Sequence, residues 1–265
     1  MKRGVWNYIW MAVAMVLFMI GTLDSFDVYK IPFLQGVVNM PSLLLIIGGS
    51  FFQAYAAFPA STVWSGVKEL TPTFTAQSSK AQEETLIEDV MELVRGLKSN
   101  KNATIERIMS GPNKGFRVYL AELLSTNYSL EDIRILGSHK IHTMRQAETG
   151  PLRVVNGLGA SSPAYGMMGT LMGLIVMLGN FDSAAGLASG LAVALMTTFY
   201  GLILAQFIWQ PLGKKLLAKM MHDQMRREVE LEAVVLAMMG KPELYIVDQL
   251  SSMVQARDGS SSNDK

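Results

Sequence analysis

The chain has no cysteine, only three histidines and, over four long stretches, no charged side chain at all. Without cysteine there is no disulfide framework and no thiolate chemistry. The scarcity of histidine leaves little for a metal. His139 and His142 stand three apart and could share a helix face. However, no third ligand lies near them in sequence, Lys140 and Arg145 would repel a cation, and His222 is isolated. No metal site and no catalytic constellation emerges, so an enzyme is not expected. A net charge of +1, with no basic cluster interleaved with aromatics, gives nucleic acid nothing to bind. Gly157-Leu-Gly159 is a poor dinucleotide fingerprint, because no strand precedes it and an apolar helix contains it.

The missing charge is the most informative absence. Residues 5–23, 31–67, 154–181 and 183–213 contain no Asp, Glu, Lys or Arg. Crossing a bilayer core of about 30 Å takes roughly 20 mostly apolar residues at about 1.5 Å each. All four stretches suffice, the second once trimmed to 38–60. The expected fold is therefore all-α: a polytopic membrane protein with four transmembrane helices and a helical cytoplasmic insert and tail. Residues 1–60 form a first hairpin (spans near 5–23 and 38–60) and 61–153 the insert. Residues 154–210 form a second hairpin (spans near 154–180 and 186–210), 211–257 the tail, and the serine-rich 258–265 is expected to be disordered. The apolar run after Met1-Lys2-Arg3 reaches Leu23 without a small-x-small cleavage site, so it is read as a span and not as a removed leader.

Basic residues orient the spans. The short loops 24–36 and 182–186 hold Lys30 alone against Asp24, Asp27 and Asp182. The remaining Lys and Arg lie in the N-terminal stub, the insert and the tail, which places both termini in the cytoplasm. In the insert, Leu86, Ile87, Val90, Leu93, Val94 and Leu97 recur at helical spacing. Ser110-Gly111-Pro112-Asn113 reads as a break, 116–124 as a second helix, and 130–147 as a third closed by Gly150-Pro151. The tail begins at Pro211, runs as a helix to about 239, stops at Gly240-Lys241-Pro242 and resumes as a short helix over 243–254.

What the third and fourth stretches carry in place of charge is small and hydroxylated. Gly159, Ser162, Gly166, Gly169 and Gly173 recur at steps of three or four, as do Gly190, Ala194, Thr198, Gly201 and Ala205. Such stripes let membrane helices approach closely, and hydroxyls on them can bond across an interface or line a wet path. Pro163 withholds a backbone donor at depth, which needs neighbouring helices or water to satisfy the freed carbonyl. Thr170, Thr197 and Thr198 on two glycine-rich spans suggest a polar pathway. An ion-coupled device normally holds an ionisable group at depth. None is present here, so a partner helix must supply the carboxylate.

These residues resemble the flagellar stator subunits of the MotA/PomA type, within the wider MotA/TolQ/ExbB proton-channel family. The likeness rests on Pro163-Ala-Tyr-Gly-Met-Met-Gly-Thr-Leu-Met-Gly-Leu, Ala192-Val-Ala-Leu-Met-Thr-Thr-Phe-Tyr-Gly201 and Pro211-Leu-Gly-Lys-Lys. Leu45-Ile-Ile-Gly-Gly-Ser50 and Ala237-Met-Met-Gly-Lys-Pro242 support it. The resemblance implies an inner-membrane homopentamer around a dimer of a single-span MotB/PomB-like partner, whose aspartate binds the transported H+ or Na+, with no other cofactor. It implies ion-path or packing roles for Pro163, Gly166, Gly169, Thr170, Gly173, Thr197, Thr198 and Gly201, and coupling roles for Pro163 and Pro211. It also implies contacts to the rotor protein FliG from the insert. The family's basic residue followed eight positions later by an acidic one is matched by Lys98 and Glu106, while Arg95 fits the preceding helix. Lys98-Ser-Asn-Lys-Asn departs from the family's glycine-containing turn, and the candidates are Arg95, Lys98, Lys101, Glu106 and Arg107. Hydroxyls at both Thr170 and Thr198 resemble the sodium-type pattern more than the proton type. The rival readings are a TolQ/ExbB-type envelope energiser driving a periplasmic partner, and a membrane scaffold that conducts nothing.

Overall fold

The computed structural model describes residues 39–68, 80–111, 115–126 and 128–262, without the side chains of 80–85 and 256–262. The expected first span, 5–23, lies outside the described residues. Within them every regular element is helical. The chain divides into two units, Met1–Lys68 with Arg153–Gly213 and Glu69–Leu152 with Lys214–Lys265.

In the first unit, α1 (Met40–Ala57) starts where the Asn39 side chain accepts the Ser42 amide, with a proline in the first turn, and ends at Phe58. Asn39 satisfies an amide that the helix start leaves without a partner, and proline is tolerated there because its missing N–H would be unpaired anyway. Its 18 residues span about 27 Å. Helix α2 (Ala60–Lys68) follows. After α3 (Lys80–Ser99), α4 (Lys101–Met109) and α5 (Phe116–Ser125), the chain returns through α6 (Leu130–Gly179) and α7 (Ala184–Ile203). A wider π turn (Leu204–Trp209) leads directly into α8 (Gln210–Met238), and α9 (Glu243–Ser262) closes the described chain. Among the described residues three helical runs, Met40–Ala57, Leu130–Gly179 and Ala184–Met238, are long and apolar enough to cross a membrane. The exposed side chains Met167, Leu171, Ile175 and Leu178 lie at steps of three or four along α6 and form one outward apolar face.

One expected break is absent. Gly150-Pro151 does not close a helix, because α6 runs through it without interruption. Pro211 lies in the first turn of α8, directly after the π turn. An interior proline costs about 3 kcal/mol. Beyond Pro151 the helix buries Val154, Val155 and Leu158 almost completely, each contributing about 1.5–3 kcal/mol. Tertiary burial therefore overrides the local stop signal. The C-terminal helix also outruns expectation: α9 reaches Ser262 through part of the stretch expected to be disordered, past its last buried anchor Val254. Extending a formed helix adds one hydrogen bond per residue fixed, so it needs no further nucleus.

The second unit has two apolar clusters. One gathers Leu93 and Leu97 of α3 with α4, with Phe116, Leu120 and Leu124 of α5, and with Ile133 and Ile141 of α6 and Leu231 of α8. The other joins Leu86, Val90 and Val94 of α3 to Val229 and Ala233 of α8 and to Ile246 and Leu250 of α9. Glu230 is 3 % exposed; it accepts from Arg117 Nε at 2.7 Å and Arg226 Nε at 3.2 Å, so its charge is paired where it is buried. Helix α8 ends at Gly240, whose φ of 72° places it in the left-handed region. There Lys241 N–H bonds to Leu236 O, a glycine-terminated stop.

Candidate ion pathway

Helices α6 and α7 meet backbone to backbone. A Cβ added at Gly166 would lie 3.0 Å from Thr197 O, and one at Gly173 would lie 2.6 Å from Ala194 N and 2.8 Å from Gly190 O. A Cβ at Gly201 would lie 2.7 Å from Ser162 O and 3.3 Å from Pro163 Cα. Gly169 faces the Thr197 side chain, which would stand 2.5 Å from a Cβ there. The two small stripes thus pack first against each other, within one chain. At Gly173 and Gly201 no larger residue fits, because what stands opposite them is main chain.

That approach brings three hydroxyls together. Thr170 Oγ1 hydrogen-bonds to Thr198 Oγ1. Thr170, Thr197 and Thr198 all direct Oγ1 at Ala194 O, at 3.2, 3.0 and 3.5 Å. Thr197 is fully buried, whereas Thr170 and Thr198 remain half-buried at the edge of the contact. Hydroxyls can donate and accept, so this edge offers a cluster of neutral oxygens with no Asp, Glu, Lys, Arg or His on either apolar segment. All eight residues assigned to the membrane motif, Pro163, Gly166, Gly169, Thr170, Gly173, Thr197, Thr198 and Gly201, lie along this one contact, while Pro211 lies apart from it, just beyond the π turn.

Sequence reasoning missed the tie to α1. Ser50 Oγ lies 3.3 Å from Ser162 Oγ, both buried, and Ser162 also donates to Leu158 O at 2.7 Å. Tyr165 packs directly on Gly49. The Tyr200 hydroxyl accepts the Asn39 amide N–H at 2.9 Å, so the residue that caps α1 is also bound to α7. The signal available in the sequence was the helical spacing of Ser42, Ile46, Ser50 and Ala54, the buried face of α1.

The proposed rotor-contact residues lie on α3 and α4 of the second unit. Arg95 pairs with Glu243 at 3.1 Å, Arg107 with Glu92 at 3.3 Å, and Lys98 donates to Lys241 O. Both ion pairs are largely exposed and so contribute about 0–1 kcal/mol each. Lys101 is half-buried and Glu106 exposed on α4. His139 and His142 are exposed, and among the described residues no group of three or more His, Asp or Glu could hold a metal. On α8, Asp223 lies below the usual carboxylate range; the largest cause is its interaction with His222, opposed by burial and assisted by Arg227 and Lys219. Arg227 is raised by its pairing with Glu148.

The α6–α7 contact is thus a glycine-packed helical pair with a hydroxyl edge and no acid of its own. Residues 108–229 match the model of the MotA/TolQ/ExbB proton channel family. Over most of its length it is similar to the chemotaxis protein PomA of Vibrio alginolyticus, 26% identical over 198 residues, covering 75% of this chain and 77% of that one. It is also similar to motility protein A of Treponema phagedenis, 25% identical over 225 residues, covering 84% and 86%. Its fold matches the flagellar MotAB stator complex of Bacillus subtilis with a TM-score of 0.74, at 20% identity and over 94% of this chain and 97% of that one.

Proposed function

We propose that the chain is an ion-conducting stator subunit of a bacterial flagellar motor, coupling ion flow to torque. The observation that carries this reading is the convergence of the Thr170, Thr197 and Thr198 hydroxyls on Ala194 O at the edge of a close, charge-free helix pair. Its relatives' names and the MotAB fold support the same reading. In it the chain crosses the inner membrane four times with both termini in the cytoplasm and assembles as a pentamer. It surrounds a MotB/PomB-like single-span partner whose aspartate binds the ion. Each ion that crosses releases about 2.3 kcal/mol per 100 mV of membrane potential. The partner carboxylate, on losing and gaining its ion, changes how its helix packs on the half-buried edge formed by Thr170 and Thr198. The insert and tail carry the resulting movement to the rotor protein FliG through the region of Arg95, Lys98, Lys101, Glu106 and Arg107, with Pro163 and Pro211 as coupling points.

The transported ion is read as sodium. Paired threonine oxygens can replace part of a hydration shell, as oxygen-lined filters do. The test is ion flux and swimming speed with the chain and its co-purified partner. Sodium-dependent flux that Thr198→Val reduces is expected, and full function in sodium-free medium would overturn the ion assignment. A co-purified partner resembling TolR or ExbD, in place of one with a peptidoglycan-binding domain, would overturn the stator reading.

A further inference from the structure

Thr197, Gly201, Ala205, Trp209 and Gly213 are all buried and follow one another at strict intervals of four. A step of four over-rotates an α-helix by about 40°. The turn Leu204–Trp209 corrects this: it is wound wider, closing with Gln210 N–H on Ala205 O five residues back, and takes up an extra residue. All five therefore stay on the packed side. The Trp209 ring meets Phe51 edge-on at 6.2 Å, and Trp209 Cβ would stand 3.2 Å from a Cβ at Gly159. The residue after each of the first four then lies along one edge of the packed side. These residues are Thr198, half-buried, and Leu202, Gln206 and Gln210, all exposed. On α6 the residues after buried Val155, Ser162 and Gly169 are Asn156, Pro163 and Thr170, seven apart and so within about 40° of one another. The two edges are joined by the Thr170–Thr198 hydrogen bond, and Asn156 Oδ1 would stand 2.5 Å from a Cβ at Gly213.

This edge carries amide chemistry. The charge-free stretches 154–181 and 183–213 contain four carboxamides, Asn156, Asn180, Gln206 and Gln210. Asn180 serves the turn between the helices, donating to Val176 O at 2.8 Å. The other three stand on the threonine edge, on the side of the threonines away from that turn. Gln206 and Gln210 lie about 12 and 18 Å beyond Thr198 along the axis, and Asn156 about 21 Å from Thr170. The residues one place further round, Phe199 and Phe207, are exposed and apolar. An amide turned to hydrocarbon is costly, so three on one edge beside an apolar face mark a wet edge. A carboxamide offers a carbonyl oxygen to a cation and N–H groups to its water, without a charge that would trap the ion. We infer that Gln206, Gln210 and Asn156 line the exit half of the ion's route and pass a hydrated monovalent cation from the threonine pair to the cytoplasm. This inference rests on the stator reading and extends its pathway past the threonines.

The chain has no cysteine, so a single introduced thiol reports its own contact with water. Gln206→Cys, Gln210→Cys and Asn156→Cys, with Phe199→Cys and Phe207→Cys for comparison, are prepared in the full-length chain with its membrane partner. Membrane vesicles turned cytoplasmic side out are treated with a positively charged, impermeant methanethiosulfonate. A thiol reacts as its thiolate, which needs water, so the three edge positions are expected to react at least about tenfold faster than the two phenylalanine positions. Their modification is expected to block sodium flux. Gln206→Leu is expected to lower that flux about threefold or more, and Gln206→Asn, which keeps the carbonyl oxygen, to retain most of it. Edge positions that react no faster than 199 and 207, or an unchanged flux in both Gln206→Leu and Gln210→Leu, overturn the inference. Should the leucine variants not assemble with the partner, the labelling rates alone decide. Wild-type vesicles that carry neither sodium nor proton flux count against the stator reading itself, whereas slow labelling in vesicles that conduct counts against the exit alone.

Discussion

The two units are held together by opposite means. Between α6 and α7 the closest neighbours are glycines and main-chain atoms, and the large side chains Met167, Leu171, Ile175 and Leu178 point outward. In the second unit the contacts are made by branched and aromatic side chains, among them Leu120, Ile133, Val229 and Leu250, all 2 % exposed or less. The difference follows from the solvent. In water, burying apolar surface drives helices together in proportion to the area covered. Lipid is as apolar as leucine, so close packing and hydrogen bonds between helices must do so instead. The same amino-acid class therefore faces inward in one unit and outward in the other.

That contrast is broken most sharply at Gly201. Gly201→Ala places its Cβ 2.7 Å from Ser162 O, 3.2 Å from Gly166 Cα and 3.3 Å from Pro163 Cα, none of which can move without shifting α6. Loss of the protein from the membrane fraction and loss of motility are expected. Gly48→Ala on α1 has nothing within 4 Å of its Cβ and should be neutral. Equal expression of the two variants would remove the packing account. In the second unit the damaging change is the reverse, large to small. Leu120→Ala leaves a hole in the cluster around α5 and should cost about 2–5 kcal/mol. A denaturation midpoint unchanged from wild type would show that this core is not what holds the unit.

How much of this could be read from the sequence varies with the range of the interaction. The glycine steps on α6 and α7 identify the contact because helical periodicity is local, and Thr170 and Thr198 fall on its edge for the same reason. The insert helix with Leu86, Val90 and Leu97 was legible in the same way. Gly150-Pro151 misled, because a stop signal acts over a few residues, whereas the burial of Val154, Val155 and Leu158 that outweighs it is tertiary. The Ser50–Ser162 contact joins residues 112 apart, and no local pattern shows it. The π turn left a trace in the run of steps of four from Thr197 to Gly213, legible only once burial shows that all five positions face inward.

A smaller effect sharpens the comparison at the hydroxyls. Thr170→Val and Thr198→Val each keep the side-chain shape and remove one partner of the same bond. Each should cost about 0.5–1.5 kcal/mol, and the double variant less than their sum, because the second loss finds the bond already gone. Unfolding in mixed micelles measures this coupling, and ion flux measures the functional loss. Strict additivity would mean that the two threonines act independently.

The smallest effect expected is at Asp223, in the second unit, where charge and not packing is at issue. Its carboxyl is held below the usual 3.8 chiefly by His222, then by Arg227 and Lys219, against the opposing cost of burial. The His222 Nδ1 lies 4.0 Å from Asp223 Oδ1, and both side chains are more than a third exposed. At that distance and exposure solvent screens the interaction, which keeps the effect modest. A carboxylate with a depressed folded-state pKa adds stability that is fully present above its unfolded value and lost as pH falls through the folded one. Wild type should therefore be more stable than Asp223→Asn by a constant margin above about pH 5, and the margin should shrink toward zero as pH falls below about 4. Thermal unfolding of both proteins in detergent across that range gives the comparison. Curves that stay parallel down to the lowest pH would mean that Asp223 contributes through its shape and not through its charge.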